Sequence, residues 1–528
     1  MSSKVINTAA ILILVVLSFA ILANSMTKLL GRDEQMYCTG GVLLAQGKMI
    51  YQDFSYPSQL PYHPLLYAAL FNLLNTTHYL LVGRIVSVLC DIFTMALIVV
   101  IYRHIFESYR ISGALLGLAG AVLYVFNPLV DYANGYAWNH DVVILCVVLA
   151  FWFFISTDFQ QRTKYWRIAA IGALLTFATC MRVTTALVQL LFFAVVLSQP
   201  ADSIKERVET ALPFLIATVI VLLWPIWVIA QAPRAFFLNL YWIPKLYGKW
   251  LYEIGMVHNK TELILSSITR PGYLVLILMV VYLYLVITWQ RRKLTASEPR
   301  KLLFAAQLSL AFFIIALIPP TIWRQYLAVP VPFLIISFAY PLLFLRSIAN
   351  EVSRNRHFKI ASTLVVICLI IAVLSNPVVM YRTPMLLVPE SWVPISLHNI
   401  SEEIGQKTRK PKLVLTLAPL FALEGGCDIY TELSAGAIVY RVADRLSSSN
   451  RDITHTVGPR TLKKLIKESP PLAVILGVEM DFLEEPLFQA AIQPDEKNWE
   501  RKVYESGPIV YFRLFQYPPC PTAKAPGD

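Results

Sequence analysis

The sequence predicts a polytopic α-helical membrane protein with an α/β domain at its C-terminus. Three observations predict it: an apolar composition, a series of span-length apolar stretches confined to the first 376 residues, and a change of pattern beyond Asn376. Hydrophobic residues make up 57% of the 528 and charged residues 15%, with a mean hydropathy of +0.59. That is too little charge for a chain dissolved in water alone, so hydrocarbon must be part of its solvent.

A span needs about 20 mainly apolar residues to cross roughly 30 Å of hydrocarbon. About eleven stretches qualify: 8–30, 79–101, 112–130, 139–156, 167–181, 184–198, 209–230, 271–289, 302–319, 325–345 and 360–376. The first is expected to stay as a helix rather than be removed as a secretory signal, because no small-residue cleavage pattern precedes Gly31-Arg32-Asp33-Glu34.

Orientation follows from the cations, because cytoplasmic loops retain Lys and Arg. With the N-terminus in the cytoplasm, that side collects Arg103 and Arg110, then Arg162, Lys164 and Arg167, then Lys205 and Arg207. It also collects Arg291, Arg292, Lys293, Arg300 and Lys301, and finally Arg346, Arg354, Arg356 and Lys359. The C-terminal region then lies outside. The +12 net charge is therefore a topology signal, with membrane lipids and not nucleic acid as the expected partner.

Of the seven cysteines, Cys90, Cys146, Cys180 and Cys368 sit in apolar spans and behave as small hydrophobes. Cys38, Cys427 and Cys520 would face an oxidising space, where a Cys427–Cys520 bridge and free thiols are both open.

Three outward regions exceed what a connection needs: 31–78, 231–270, and everything after Asn376. Residues 33–47 are expected as a short helix along the membrane surface, with Met36, Leu43 and Leu44 resting on lipid or on other helices. A turn-rich link over Tyr51 to Pro57 leads to a second surface helix over 64–74. Further on, Lys412 to Leu417 and Leu472 to Val478 have strand length, with a helix over Thr461 to Lys467 stopped by Pro470-Pro471. Tyr504 and Ile509 to Phe515 add strand material, while Gly425-Gly426 and Gly477 form no phosphate-loop pattern.

Polar residues at the outer membrane edge are the candidates for chemistry. Asp33 and Glu34 follow the first span directly, and helix neighbours point about 100° apart, so one suits a base and the other a structural role. A plain helix-start acid is the competing reading for both. Asp141, in Trp138-Asn139-His140-Asp141, sits where a charge is costly unless it faces the bundle interior or water. An interfacial cap accounts for it equally well. With His63 and His140 these acids make a divalent metal conceivable, but no short ligand spacing supports one.

Several cations lie away from the cytoplasmic clusters: Arg84, Arg182 in a tight turn between two apolar helices, Lys245, and Arg324. A guanidinium in Arg182's setting suits a phosphate held by paired donors. Snorkelling to headgroups is the expectation for Arg84. The stretch Phe236 to Tyr252 sets many aromatics beside Lys245 and Lys249; an interfacial belt explains most of them, and sugars also stack on such rings.

The outward motif Gly31-Arg32-Asp33-Glu34-Gln35-Met36-Tyr37, followed by Gln46-Gly47-Lys48-Met49-Ile50-Tyr51-Gln52-Asp53-Phe54-Ser55-Tyr56-Pro57 and an apolar helix, resembles the first outer loop of C-type (GT-C) glycosyltransferases. The resemblance is to the branch containing aminoarabinose transferases and protein O-mannosyltransferases. Trp224-Pro225, the run Arg324-Gln325-Tyr326-Leu327-Ala328-Val329-Pro330 and the C-terminal Pro470-Pro471-Leu472-Ala473-Val474-Ile475-Leu476-Gly477 extend it along the chain.

The resemblance implies a GT-C membrane domain over 1–376, with outer loops 31–78 and 231–270, and a soluble extracytoplasmic α/β domain over 377–528. It implies an inverting transfer of a sugar from a polyprenyl-phosphate donor to an acceptor hydroxyl at the outer face, on a lipid, a glycan or a protein. Asp33 takes the place of the family's catalytic base. The substrate-binding set is Glu34, Asp53, Tyr56, His63 and Asp141, with the cations Arg182, Lys245 and Arg324 and the neighbouring Tyr326. No nucleotide is needed, no cofactor is certain, and a divalent metal stays open. A bacterial inner membrane is the expected location, with the C-terminal domain periplasmic or extracellular. Two other classes remain: a secondary transporter, which would show an inverted repeat and mid-span charges, where the sequence shows no repeat and Asp91 as its one clear mid-span acid, and a non-catalytic subunit presenting its C-terminal domain.

Overall fold

The structure, a computed structural model, describes residues 3–257, 259–290, 299–319, 322–346, 351–505 and 507–514. Arg291, Arg292, Lys293, Phe515 and Cys520 lie outside the described residues, as do the side chains of Arg300, Lys301 and Arg346, and with Cys520 any bridge to Cys427.

Each of the eleven apolar stretches falls on helix. Seven described helical segments are long and apolar enough to cross a membrane: Thr8–Thr27, Tyr79–Ile105, Glu107–Val125, Ile204–Gln231, Pro271–Trp289, Arg324–Leu345 and Glu351–Ser375. His140–Ser156, Val183–Leu197 and Leu303–Leu317 are apolar but shorter. The helix Lys164–Met181 opens with Lys164 and Arg167, which lower its hydropathy. By length and composition the count is therefore seven, against the eleven expected.

Local chemistry sets these boundaries. Ile204–Gln231 starts where Ser203 Oγ accepts from Glu206 N at 3.1 Å, and it carries Pro213 and Pro225 internally. Its Ile216, Val219, Ile220 and Leu223 are exposed, a surface that needs hydrocarbon around it. Its other side packs tightly on Lys164–Met181, where a Cβ at Gly172 would come within 2.5 Å of the Phe214 carbonyl oxygen.

The outer regions are mostly helical. Arg32–Ala45 and Tyr62–Leu74 pack together, with Met36 and Leu43 buried, so the first rests on protein rather than lipid. Region 231–270 folds into Pro233–Phe237, a π-helical turn Leu238–Trp242, Ile243–Glu253 and Lys260–Ile268. Asn239 in the π turn binds the first outer loop: its Oδ1 accepts from Ser55 Oγ at 2.6 Å and Tyr56 N at 3.0 Å, while its carbonyl accepts from Ser58 N at 3.0 Å. Ser58 (φ 65°) is held left-handed by its bond to Asn239, and Tyr51 (φ 66°) by bonds from its N to the Phe54 carbonyl at 3.0 Å and from its Oη to the Gln59 carbonyl at 2.6 Å, a strain of about 1–3 kcal/mol each.

The C-terminal domain is a five-stranded mixed sheet of order β2-β1-β3-β5-β4, built from β1 (Leu413–Thr416), β2 (Asp428–Ile429), β3 (Ala473–Leu476), β4 (Trp499–Val503) and β5 (Ile509–Arg513). β1 pairs in parallel with β2 and β3, and β5 runs antiparallel to β3 and β4, with Val414 opposite Ala473 and Val474 opposite Tyr511. The helix expected over 461–467 is Leu462–Glu468. Tyr504, expected in a strand, lies just past β4.

This domain docks on the outer helices. Gln35 Oε1 accepts from Leu420 N at 3.0 Å, and Glu424 Oε1 accepts from Leu80 N at 2.7 Å while its Oε2 meets His398 Nδ1 at 3.0 Å. Tyr67, Leu80, Leu420 and Phe421 belong to one buried apolar cluster spanning both parts. The link after the last span also returns to the membrane part, with Arg382 Nη1 at 2.7 Å from Asn24 Oδ1 and 3.1 Å from Asp131 Oδ1.

Candidate active site

Two chambers meet where the outer helices, the 231–270 region and the C-terminal domain converge. One, of about 350 Å³, is lined by Arg32, Asp33, Tyr37, Tyr136, Trp138, Gln325 and Arg441 among others. The second, of about 310 Å³, is lined by Arg182, Thr184, Thr185 and the apolar Leu240, Phe312, Ile315 and Val329 among others. Ser58, Gln59, Tyr247, Trp323 and Tyr326 line both. Each lies within the ~300–1,000 Å³ usual for small-molecule sites.

Asp33 is the second residue of Arg32–Ala45, so its place depends on how that helix starts. Glu34 fixes the start. Its carboxylate accepts from Gly31 N at 2.7 Å and Ala137 N at 2.7 Å, and from Arg84 Nε and Nη2 at 2.9 Å each. The one-residue step turns Asp33 towards the chamber, where burial pushes its carboxyl above the usual carboxylate range. Arg441 opposes that rise most strongly, then Arg32, while Glu34 and Glu479 add to it.

Arg182 caps the helix Lys164–Met181 in extended conformation. Its guanidinium lies 4.7 Å above the Tyr326 ring centre, and Nη1 donates to His140 Nδ1 at 3.2 Å. A fixed cation thus stands in a mostly apolar chamber, beside a ring that also faces the chamber of Asp33.

The other expected site residues are placed elsewhere. Glu34 is saturated by Arg84 and backbone donors. Asp53 Oδ2 accepts from Met49 N at 2.6 Å in its own turn. Tyr56 is buried near Tyr37, and His63 is packed between the rings of Tyr37 and Tyr67, with centroids at 4.7 and 4.2 Å. Burial pushes His63 down to about 3, so the ring is neutral. Asp141 is buried, its Oδ2 accepting from Gly135 N at 2.8 Å. Lys245 is exposed beside the Trp242 ring at 5.1 Å, next to the lining residue Pro244. Arg324 is half-buried between Trp323 and Gln325, which do line the first chamber. Of the expected set, the chambers bring together Asp33, Arg182 and Tyr326.

One expectation needs correction. Arg84 does not snorkel: it is fully buried, its charge taken up by Glu34 and by the carbonyls of Ser25, Lys28 and Leu29. As for the metal left open by the sequence, among the described residues no group of three or more His, Cys, Asp or Glu is arranged to hold an ion.

Sequence reasoning missed Gln59, Tyr247, Trp323 and Arg441. Tyr247 and Trp323 each sat inside or beside a flagged segment. Gln59 carries a traceable polar network, accepting from Asn139 Nδ2 at 3.0 Å, but no sequence pattern announces it. Arg441 comes from the C-terminal helix Ala437–Ala443 and has no local signal.

The model of the dolichyl-phosphate-mannose-protein mannosyltransferase family matches residues 58–228, a stretch that includes Gln59 and Arg182. No curated protein sequence matches the chain. Among solved structures, ArnT from Cupriavidus metallidurans bound to undecaprenyl phosphate is similar at 14% identity, covering 97% of this chain and 98% of that one with a TM-score of 0.60. The chain has the GT-C fold. The apo state of the same ArnT gives a TM-score of 0.57 at the same identity and coverage. In this chain the fold is joined to the small sheet domain at the C-terminus described above.

Proposed function

We propose that this chain is a membrane glycosyltransferase that moves a sugar from a polyprenyl-phosphate donor to an acceptor hydroxyl at the outer face of the membrane. The observation that carries the reading is the pair of adjoining chambers, one holding Asp33 and the other Arg182, with Tyr326, Trp323, Tyr247 and Gln59 in both walls. The family match over 58–228 and the GT-C fold shared with an ArnT bound to undecaprenyl phosphate support it.

In this reading the lipid phosphate occupies the apolar chamber beside Arg182, and the sugar's anomeric carbon lies at the shared wall. The acceptor enters the chamber of Asp33. Its hydroxyl oxygen forms a bond to the anomeric carbon and gives its proton to the Asp33 carboxylate. The bond from that carbon to the phosphate oxygen breaks on the opposite face, which inverts the configuration. The electron pair stays on the leaving phosphate, where the Arg182 guanidinium offsets the growing charge. Lipid, glycan and protein hydroxyls all satisfy this chemistry.

The test is incubation of purified protein with a panel of polyprenyl-phosphate sugars and cell-envelope extract, with mass spectrometry for free lipid phosphate. Release that needs Asp33 establishes the reading and names the sugar. No release from any donor rejects it.

A further inference from the structure

Asp33 belongs to the membrane part, yet the group that balances it comes from the C-terminal domain. Arg441 lines the same chamber as Asp33. Its guanidinium is almost wholly buried and held from three sides: Nη2 lies 3.0 Å from Glu479 Oε2, Nη1 donates to Tyr247 Oη at 3.2 Å, and the Trp250 ring centre is 5.4 Å away. Glu479 also reaches Arg32 Nε at 3.3 Å, so one carboxylate joins the C-terminal arginine to the residue preceding Asp33. Asp33 is faced by Arg32, Glu34 and Tyr37 from its own helix, by Arg441 and Glu479 from the C-terminal domain, by Tyr247 from Ile243–Glu253, and by Tyr326 from the Arg324–Leu327 turn.

We propose that Arg441 is a positioning residue for Asp33, so that the transfer site is complete only when the C-terminal domain is docked over the outer helices. The proposal rests on the reading of Asp33 as the base. An aspartate enclosed by tyrosines and tryptophans takes up a proton readily and then cannot serve as a base. Arg441, in the wall of the same chamber, works against that uptake, and the Glu479 tie holds that arginine in place without neutralising it fully, because Glu479 is shared with Arg32.

The experiment uses the full chain in lipid nanodiscs, comparing wild type with Arg441→Lys, Arg441→Gln and the double variant Arg441→Gln/Glu479→Gln. The double variant removes both charges and guards against misfolding from a buried glutamate left with Arg32 as its one cation. Two quantities are read: the pH dependence of lipid-phosphate release, and the Asp33 carboxyl titration by difference infrared spectroscopy, identified by its absence in Asp33→Asn. Arg441→Gln should shift the Asp33 titration and the acid limb upward by about one pH unit or more, the double variant should shift them upward by less because losing Glu479 offsets part of the change, and Arg441→Lys should hold both near wild type. Loss of turnover with an unmoved titration overturns the proposal, since a merely structural arginine would give that result. So does unchanged behaviour in both Gln variants. If wild type releases no lipid phosphate from any donor, the transfer reading fails, and the infrared titration still decides whether Arg441 governs Asp33.

Discussion

Arg84 and Glu34 meet as a fully buried pair, with Arg84 Nε and Nη2 each 2.9 Å from a different carboxylate oxygen. Arg84 Nη1 also donates to the carbonyls of Ser25 at 2.7 Å and Lys28 at 2.8 Å, which close the first helix. The pair thus ties the end of the first helix, the start of the second and the span Tyr79–Ile105 into one joint, and Asp33 is set by that joint.

Arg84→Met should therefore cost about 3–5 kcal/mol, because it leaves Glu34 buried and unpaired. Thermal unfolding in detergent reads the loss, and Arg84→Met/Glu34→Met should recover only the part due to the unpaired charge, because the carbonyls of Ser25, Lys28 and Leu29 and the amides of Gly31 and Ala137 still lack partners. An unchanged unfolding temperature in the single variant would remove the pair as an anchor.

Asp33→Asn should cut lipid-phosphate release by about 10²- to 10⁴-fold, the share of a positioned base. It should also raise the unfolding temperature at neutral pH. Burial raises the folded-state pKa of Asp33, so the folded chain holds its proton more tightly than the unfolded chain. The carboxyl therefore favours folding below its unfolded pKa and opposes it above its folded pKa. A neutral amide escapes that cost at pH 7, whereas near-normal turnover in this variant would remove Asp33 from the mechanism.

Turnover should rise with pH through a limb lying above the ordinary aspartate range, since only the charged carboxylate accepts the acceptor's proton. His63, held neutral down to about 3 by burial, should not contribute, and His63→Gln should leave the limb in place. A limb at the ordinary aspartate value would count against Asp33 as the base.

Arg182→Gln should lower kcat/KM for the donor by about 10²-fold, the usual loss on removing one donor to a developing oxyanion. Arg182→Lys should recover only part, because an ammonium replaces the charge but not the planar stacking on Tyr326. Equal activity in both variants would place the phosphate elsewhere.

The helical part of the fold was legible because a membrane-crossing segment declares itself in one unbroken piece of chain. The sheet was legible only in its interior. β1 and β3 are apolar runs, whereas β4 is Trp499-Glu500-Arg501-Lys502-Val503 at the sheet edge, where charged side chains face solvent and mask the strand. The chambers divide the same way. Asp33 lies directly beyond the first span and Arg182 between two apolar helices, so their surroundings could be read from neighbours in sequence. Arg441 is flanked by Tyr440 and Val442, both buried, and resembles any helix arginine until the sheet domain is docked. The pairing of Glu34 with Arg84 was equally invisible, because it depends on which face of Tyr79–Ile105 meets the second helix.

The apolar cluster that joins Tyr67 and Leu80 to Leu420 and Phe421 has a consequence for biogenesis. A ribosome delivers Leu80 long before Glu424, so the Leu80 amide has no Glu424 carboxylate to donate to until most of the chain is made. Translation order therefore sets the helices in the membrane before Arg441 can join the wall of the Asp33 chamber.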